Sequence, residues 1–203
     1  MRKNCFPTKL EKVQTTGIQK SISERANFLY KFLQSPRNIG SLTPSSFYLA
    51  QAMIEPIDWK NTRAIVELGA GTGVFTRFIQ QSKNPECLGI IFEQDKEMIN
   101  YLMKLYPGFS YHSSAEELYT VIRQLGLSEV DHILSGLPFM NFPQGLRERI
   151  LNDVILSLKP GGLFIQCQYS LQMKKQLSKR FTKVDIRFVP LNIPPAFVYY
   201  CYK

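Results

Sequence analysis

Apolar and polar residues along the chain follow a helical period first and a βα alternation afterwards. Between Ser21 and Leu33 the apolar positions Ile22, Ala26, Leu29 and Leu33 recur at three- to four-residue intervals, with Phe28 and Phe32 widening the stripe. Ser21-Ile22-Ser23-Glu24 has the form of a capping box that starts this helix, and Pro36 and Gly40 end it. Thr43-Pro44 opens a second helix, Thr43 as N-cap and Pro44 at the first helical position, which runs to about Ile54 before Pro56. From Arg63 the pattern changes. Ala64–Leu68, Cys87–Phe92, Phe109–Tyr111, Val130–Ser135 and Leu163–Cys167 read as strands. Between them lie helices beginning near Val74, Lys96 and Ala115, and one marked by Leu146, Ile150, Val154 and Leu158 that Lys159-Pro160-Gly161-Gly162 breaks. Leu171–Phe181 reads as a further helix. Val184, Ile186 and Phe188 alternate as a strand, and Ala196–Tyr202 is the last one.

Strands alternating with helices predict an α/β fold: a mainly parallel sheet of seven strands covered by helices on both faces. The last two strands are joined by a Pro-rich turn too short for a parallel crossover, so they form an antiparallel pair with the last strand reversed. Two regions follow. Residues 1–40 are a basic arm and an amphipathic helix, and residues 41–203 are the α/β domain.

Composition excludes several classes. Apolar residues make up 44% and charged residues 20% of 203, which argues against disorder and coiled coil. No run of apolar residues is long enough to span a bilayer, and Met1–Pro7 lacks a signal-peptide core, so the expected location is cytoplasmic. Cys5, Cys87, Cys167 and Cys201 form no CxxC pair, and His112 and His132 are not at ligand spacing with them. Reduced thiols and no metal are expected.

Charge changes the picture more. Residues 1–40 hold eight Lys and Arg against two acids, and residues 170–203 hold seven against one. The middle is slightly acidic, while the whole chain carries a formal net charge of +9. Basic ends on a near-neutral centre point to a polyanionic partner, either nucleic acid or an anionic membrane.

The chemistry starts at Val66-Glu67-Leu68-Gly69-Ala70-Gly71-Thr72-Gly73, which leaves a strand and opens a helix. Glycines there let a ligand approach the backbone, and ligands of open α/β sheets bind at the carboxyl ends of the strands. Glu93 ends the second strand, where a carboxylate can accept both hydroxyls of a ribose. The glycines step by two, unlike the G-x-G-x-x-G spacing of dinucleotide sites. With this E-x-G-x-G-x-G run, residues 41–203 resemble the class I S-adenosylmethionine-dependent methyltransferases, whose Rossmann-like sheet also ends in a reversed strand. The resemblance implies S-adenosyl-L-methionine as cofactor, with S-adenosyl-L-homocysteine as product. It assigns that cofactor to Glu67, Gly69, Ala70, Gly71, Gly73, Glu93 and Gln94, puts Ser114 and Ala115 at the adenine, and adds Ser45, Ser46 and Ser135.

Three segments narrow the substrate: Gly40–Ser46, Ser135–Phe139 with Asn141-Phe142-Pro143, and Asn192–Val198. Together they resemble the bacterial phospholipid N-methyltransferases, which convert phosphatidylethanolamine towards phosphatidylcholine. The rRNA adenine dimethyltransferases are the alternative. They carry an Asn-Leu-Pro-Tyr-like motif where this chain has Ser135-Gly136-Leu137-Pro138-Phe139, and they usually add a C-terminal helical domain. A second alternative is a module that holds the cofactor without catalysis. Methyl transfer to an amine is an in-line displacement that needs positioning above all, and aromatic faces favour the increasingly cationic products. Tyr48, Ser135 and Gly136 are the candidate catalytic groups, and Leu137, Pro138, Phe139 and Tyr169 the candidate substrate contacts. The expected partner is an anionic membrane surface carrying the phospholipid. The expected state is a monomer bound peripherally at the inner face, with the cationic, Phe-bearing helix 21–34 either lying in the membrane interface or packing on the core as a lid.

Overall fold

A computed structural model describes residues 44–203; the basic arm, helix 21–34 and the Thr43 cap lie outside the described residues. Helix α1 (Pro44–Ile54) leads into β1 (Ala64–Leu68), α2 (Val74–Ser82), β2 (Leu88–Phe92), α3 (Lys96–Leu105) and β3 (Phe109–His112). Then come α4 (Leu118–Gln124), β4 (Val130–Ser135), α5 (Gln144–Ser157), β5 (Leu158–Gln168), α6 (Lys174–Ser178), β6 (Lys183–Val189) and β7 (Ala196–Tyr202). The seven strands form one sheet in the order β3-β2-β1-β4-β5-β7-β6. Pairs among β1–β5 are parallel. β7 lies antiparallel between β5 and β6, as the short Pro-rich connection predicts.

The period of two in the strands sorts the core into two layers. Ala64, Val66 and Leu68 join Ile90, Phe92, Ile133 and Phe164 beneath Ile122 of α4 and Leu151 and Val154 of α5. Ile65 faces the other way, with Ile91, Leu134 and Ile165, beneath Met53 of α1, Ile79 of α2 and Leu102 of α3. Each fully buried large side chain stabilises the fold by roughly 1.5–3 kcal/mol. Glu67, the one charged residue of β1, is 1% exposed. Tyr200 of β7 donates its hydroxyl to the Ala52 carbonyl at 2.8 Å, which fastens α1 to the sheet.

At the amino ends of the central strands one carboxylate gathers three donors. Asp131 accepts the amides of Arg63 and Ala64 at 2.7 and 2.9 Å and pairs with the Lys159 ammonium. Burial pushes the Asp131 carboxyl up, but Lys159 and the two amides outweigh it and hold it below the usual value.

This pairing corrects one expectation. Lys159–Gly162 does not separate α5 from a strand starting at Leu163; β5 begins at Leu158 and carries these residues as an irregularity between Val130 and His132 of its neighbour. The helix expected over Leu171–Phe181 shortens to Lys174–Ser178. Thr182 already donates its amide to Tyr202, which draws the chain into β6. The helix expected from Ala115 starts with a 3-10 turn, Ala115–Glu117, before α4.

Candidate functional site

The strand order reverses between β1 and β4, so the loops leaving these strands sit at the switch point at whose carboxyl side open α/β sheets bind ligands. The turn after β1 forms one wall. Gly69 and Ala70 both donate their amides to the Phe92 carbonyl, at 2.7 and 3.3 Å. Gly69 has φ +76°, and a Cβ there would stand 2.7 Å from the Leu137 side chain, so the backbone position is closed to any larger residue. Gly71 has φ +52°, and among the described residues a Cβ there would meet nothing within 4 Å.

Glu93 binds this turn from the tip of β2. Its carboxylate accepts the Gly71 amide at 2.7 Å and the Asp95 amide at 2.9 Å, one on each oxygen. Each oxygen keeps a second lone pair for a hydroxyl. Gln94 beside it is exposed. Glu67 lies behind the turn, accepting the Thr76 hydroxyl at 2.6 Å. Its Oε1 is buried with no hydrogen-bond partner among the described residues. Burial raises the Glu67 carboxyl from 4.5 to about 7, the Thr76 hydrogen bond opposing it and the Glu93 charge adding to it.

The loop after β4 forms the other wall and lies directly on the first. Gly136 donates its amide to the Leu68 carbonyl at 2.9 Å, and a Cβ on Gly136 would come within 3.1 Å of the Gly69 carbonyl oxygen. Ser135 is fully buried, and its hydroxyl accepts the Leu137 amide at 3.2 Å. Two side chains that sequence reasoning missed complete this wall. Gln166 and Gln168 of β5 each donate an amide to the Leu137 carbonyl at 3.0 Å. Gln166 is fully buried and Gln168 nearly so. Two amides at alternate positions of an otherwise apolar buried strand are the signal that could have found them.

The remaining candidates divide. Ser114 caps the 3-10 turn, its hydroxyl accepting the Glu116 amide at 3.3 Å, with half-buried Ala115 next to it. Leu137 and Pro138 are half-buried in the wall. Phe139 departs from the expectation of a substrate-facing ring: it is fully buried, edge-on to Phe142 and Phe164, and anchors the loop in the core. Tyr169 stands half-buried just beyond β5, where burial pushes its phenol up and the Asn192 side chain opposes the shift. Tyr48 is 41% exposed and lines a shallow groove with Arg187 and Leu191. Ser45 and Ser46 lie in the first turn of α1, and their side chains are outside the described residues. Among the described residues no group of His, Cys, Asp or Glu is placed to hold a metal ion. A buried carboxylate with an oxygen to spare, an open glycine and a carboxylate at a strand tip suit a cationic ligand that carries vicinal hydroxyls.

No family model matches the chain. The chain is 34% identical over 179 residues to the ornithine lipid N-methyltransferase of Singulisphaera acidiphila, covering 86% of this chain and 93% of that protein. Its fold is similar to that of the N-methyltransferase NodS from Bradyrhizobium japonicum in complex with S-adenosyl-L-homocysteine. There the TM-score is 0.62 and the identity 11%, over 78% of this chain and 85% of that one. It is also similar to precorrin-6y C5,15-methyltransferase from Geobacter metallireducens, with TM-score 0.59 and 12% identity over 76% and 87% of the two chains.

Proposed function

The chain belongs to the family of the ornithine lipid N-methyltransferase, as a methyltransferase of the class I fold, and from this we propose that it methylates the amine of a membrane lipid with S-adenosyl-L-methionine as donor. The observation that carries the reading is the identity with that relative over nearly its whole length. The relative favours ornithine lipid as substrate. Phosphatidylethanolamine, the head group expected from the sequence, presents the same primary amine and is the second lipid to test.

The donor supplies, when bound, an electrophilic methyl group on a sulfonium. Gly69, Ala70, Gly71 and Gly73 would line its methionine end, and Glu67 behind the turn would supply a compensating negative charge. Glu93 would take the ribose hydroxyls while keeping the Gly71 amide, with Gln94, Ser114 and Ala115 towards the base and Ser45 and Ser46 on α1 as further candidates. The acceptor nitrogen must be neutral, with its lone pair in line with the bond that breaks. Ser135, Gly136, Leu137 and Pro138 orient it, and Tyr48 and Tyr169 bound the approach. The nitrogen would take the methyl as its C–S bond breaks, leaving the thioether S-adenosyl-L-homocysteine and a methylated ammonium whose proton passes to solvent. The rigid contact between the walls supports this reading, because such a reaction depends on holding two partners in one geometry.

Action takes place at the cytoplasmic face of a membrane, with the chain bound peripherally as a monomer. Among the described residues no helix is long and apolar enough to cross a bilayer. The test is incubation with labelled S-adenosyl-L-methionine and vesicles containing ornithine lipid, vesicles containing phosphatidylethanolamine, or total RNA. Label in ornithine lipid is the expected result. Label in RNA alone would overturn the reading in favour of the base methyltransferase.

A further inference from the structure

A solvated turn ordinarily exposes its polar residues and buries its apolar ones. The turn between β6 and β7 does the reverse. Leu191 is 58% exposed and Ile193 71%, with Phe188 52% exposed on the flank of β6. Asn192, the polar residue between the first two, is only 4% exposed. Its amide donates to the Pro194 carbonyl at 2.7 Å, so the polar group is consumed in holding the turn. We propose that this turn is the surface by which the chain docks on the bilayer that holds its lipid substrate, Leu191 and Ile193 entering the acyl boundary. The proposal rests on the reading above that the acceptor is a membrane lipid.

Topology places the turn where such a contact is useful. β7 runs against β5, with Gln168 opposite Phe197, so the turn stands on the same sheet edge as the candidate site. Asn192 lies beside Tyr169, just past the end of β5. A lipid entering at the turn is therefore on the edge where the site opens.

Charge selects the occupant. Of the seven Lys and Arg in residues 170–203, Lys183 and Lys203 stand at the far edge of the sheet, and Arg180 and Arg187 are paired with Glu148 and Glu55. Lys174 and Lys175 are exposed at the start of α6, close after the carboxyl end of β5, and Arg187 is exposed beside Phe188, paired with Glu55. Apolar tips on the sheet edge that also carries exposed Lys174 and Lys175 suit an anionic interface, where phosphates meet the charges and the acyl boundary meets the tips. A protruding tip of two or three side chains is too small for a stable protein interface, which needs about 800 Å² per partner.

The test uses the full chain with Leu191→Ser and Ile193→Ser together, both at exposed positions. Co-sedimentation is measured with phosphatidylglycerol vesicles containing ornithine lipid. Methylation is measured on that lipid in the vesicles and on its short-chain, water-soluble form. The double variant should lose vesicle association and vesicle-lipid methylation by roughly tenfold or more, at unchanged activity on the soluble form and unchanged S-adenosyl-L-homocysteine affinity. Leu156→Ser, at an exposed leucine of α5, should change neither. The emission of Ile193→Trp should shift to the blue when vesicles are added. Vesicle association of the double variant equal to wild type, or an unshifted Ile193→Trp emission, overturns the docking surface. Failure of the wild type to methylate either form of the lipid, with vesicle association still lost in the double variant, overturns the lipid reading and leaves the surface standing.

Discussion

The Gly71 amide points into the Glu93 carboxylate at 2.7 Å, which ties the turn after β1 to the tip of β2 across a parallel strand pair. One residue thereby holds the shape of the loop and offers its remaining lone pairs to a ligand. Glu93→Ala removes both contributions. The loss of two hydrogen bonds to a charged acceptor is expected to lower affinity for S-adenosyl-L-homocysteine by about 1.5–3 kcal/mol in calorimetry. Glu93→Gln, which keeps one carbonyl acceptor, should fall between.

Gly69 and Gly71 separate folding from binding. Gly69→Ala combines a positive φ with a 2.7 Å approach to Leu137 and is expected to lower thermal stability clearly. Gly71→Ala carries the positive φ but finds open space among the described residues, so it should cost only about 1 kcal/mol in stability. On the proposed reading the added methyl occupies space the donor would take, and affinity for S-adenosyl-L-homocysteine should drop much further than stability does. Thermal melts beside calorimetry distinguish the two.

Gln166 and Gln168 position the loop from behind. Gln168→Leu strips one donor from the Leu137 carbonyl, which Gln166 still satisfies, and is expected to cost about 0.5–1.5 kcal/mol of stability. Because the Glu93 and Gly71 wall is untouched, S-adenosyl-L-homocysteine affinity should stay near wild type while kcat on lipid falls. An equal fall in cofactor affinity would show that Leu137 is coupled to the other wall instead.

Glu67 makes stability depend on pH. Its folded value of about 7 lies above its ordinary 4.5, so between those values the folded chain holds a proton that the unfolded chain has released. This carboxyl therefore favours folding most below about 4.5, and that contribution is lost as pH rises through about 7. Melts from pH 5 to 8 should show wild type losing stability relative to Glu67→Gln. A cationic ligand favours the ionised carboxylate, so S-adenosyl-L-methionine affinity should rise over the same window in wild type and stay flat in Glu67→Gln.

The sequence carries the sheet because strand burial leaves a period of two that any reader can count, as at Ala64–Leu68. The reversed strand follows from the length of one connection. Glu93 was legible because the end of a strand fixes where its side chain stands. The Gln166 and Gln168 clamp was not, since its acceptor is a backbone carbonyl 29 and 31 residues away, and every residue carries one. Phe139 turned inward for a related reason: in a loop no period assigns a face, and the choice falls to Phe142 and Phe164. The start of β5 at Leu158 depended on Asp131, the partner that gives Lys159 a reason to stay beside the sheet.

The Asp131 cluster has a meaning for how such a protein can diversify. It joins β1, β4 and β5 at the edge remote from the candidate site, using two backbone amides and one ammonium. None of its members comes from the loops 136–143 or 190–195. Exchanging either loop for that of a relative leaves this fastening intact. The domain is thus built as a fixed chassis with replaceable fittings: chimaeras that swap 136–143 should fold like the parent while trading head-group preference, and those that swap 190–195 while trading affinity for vesicles.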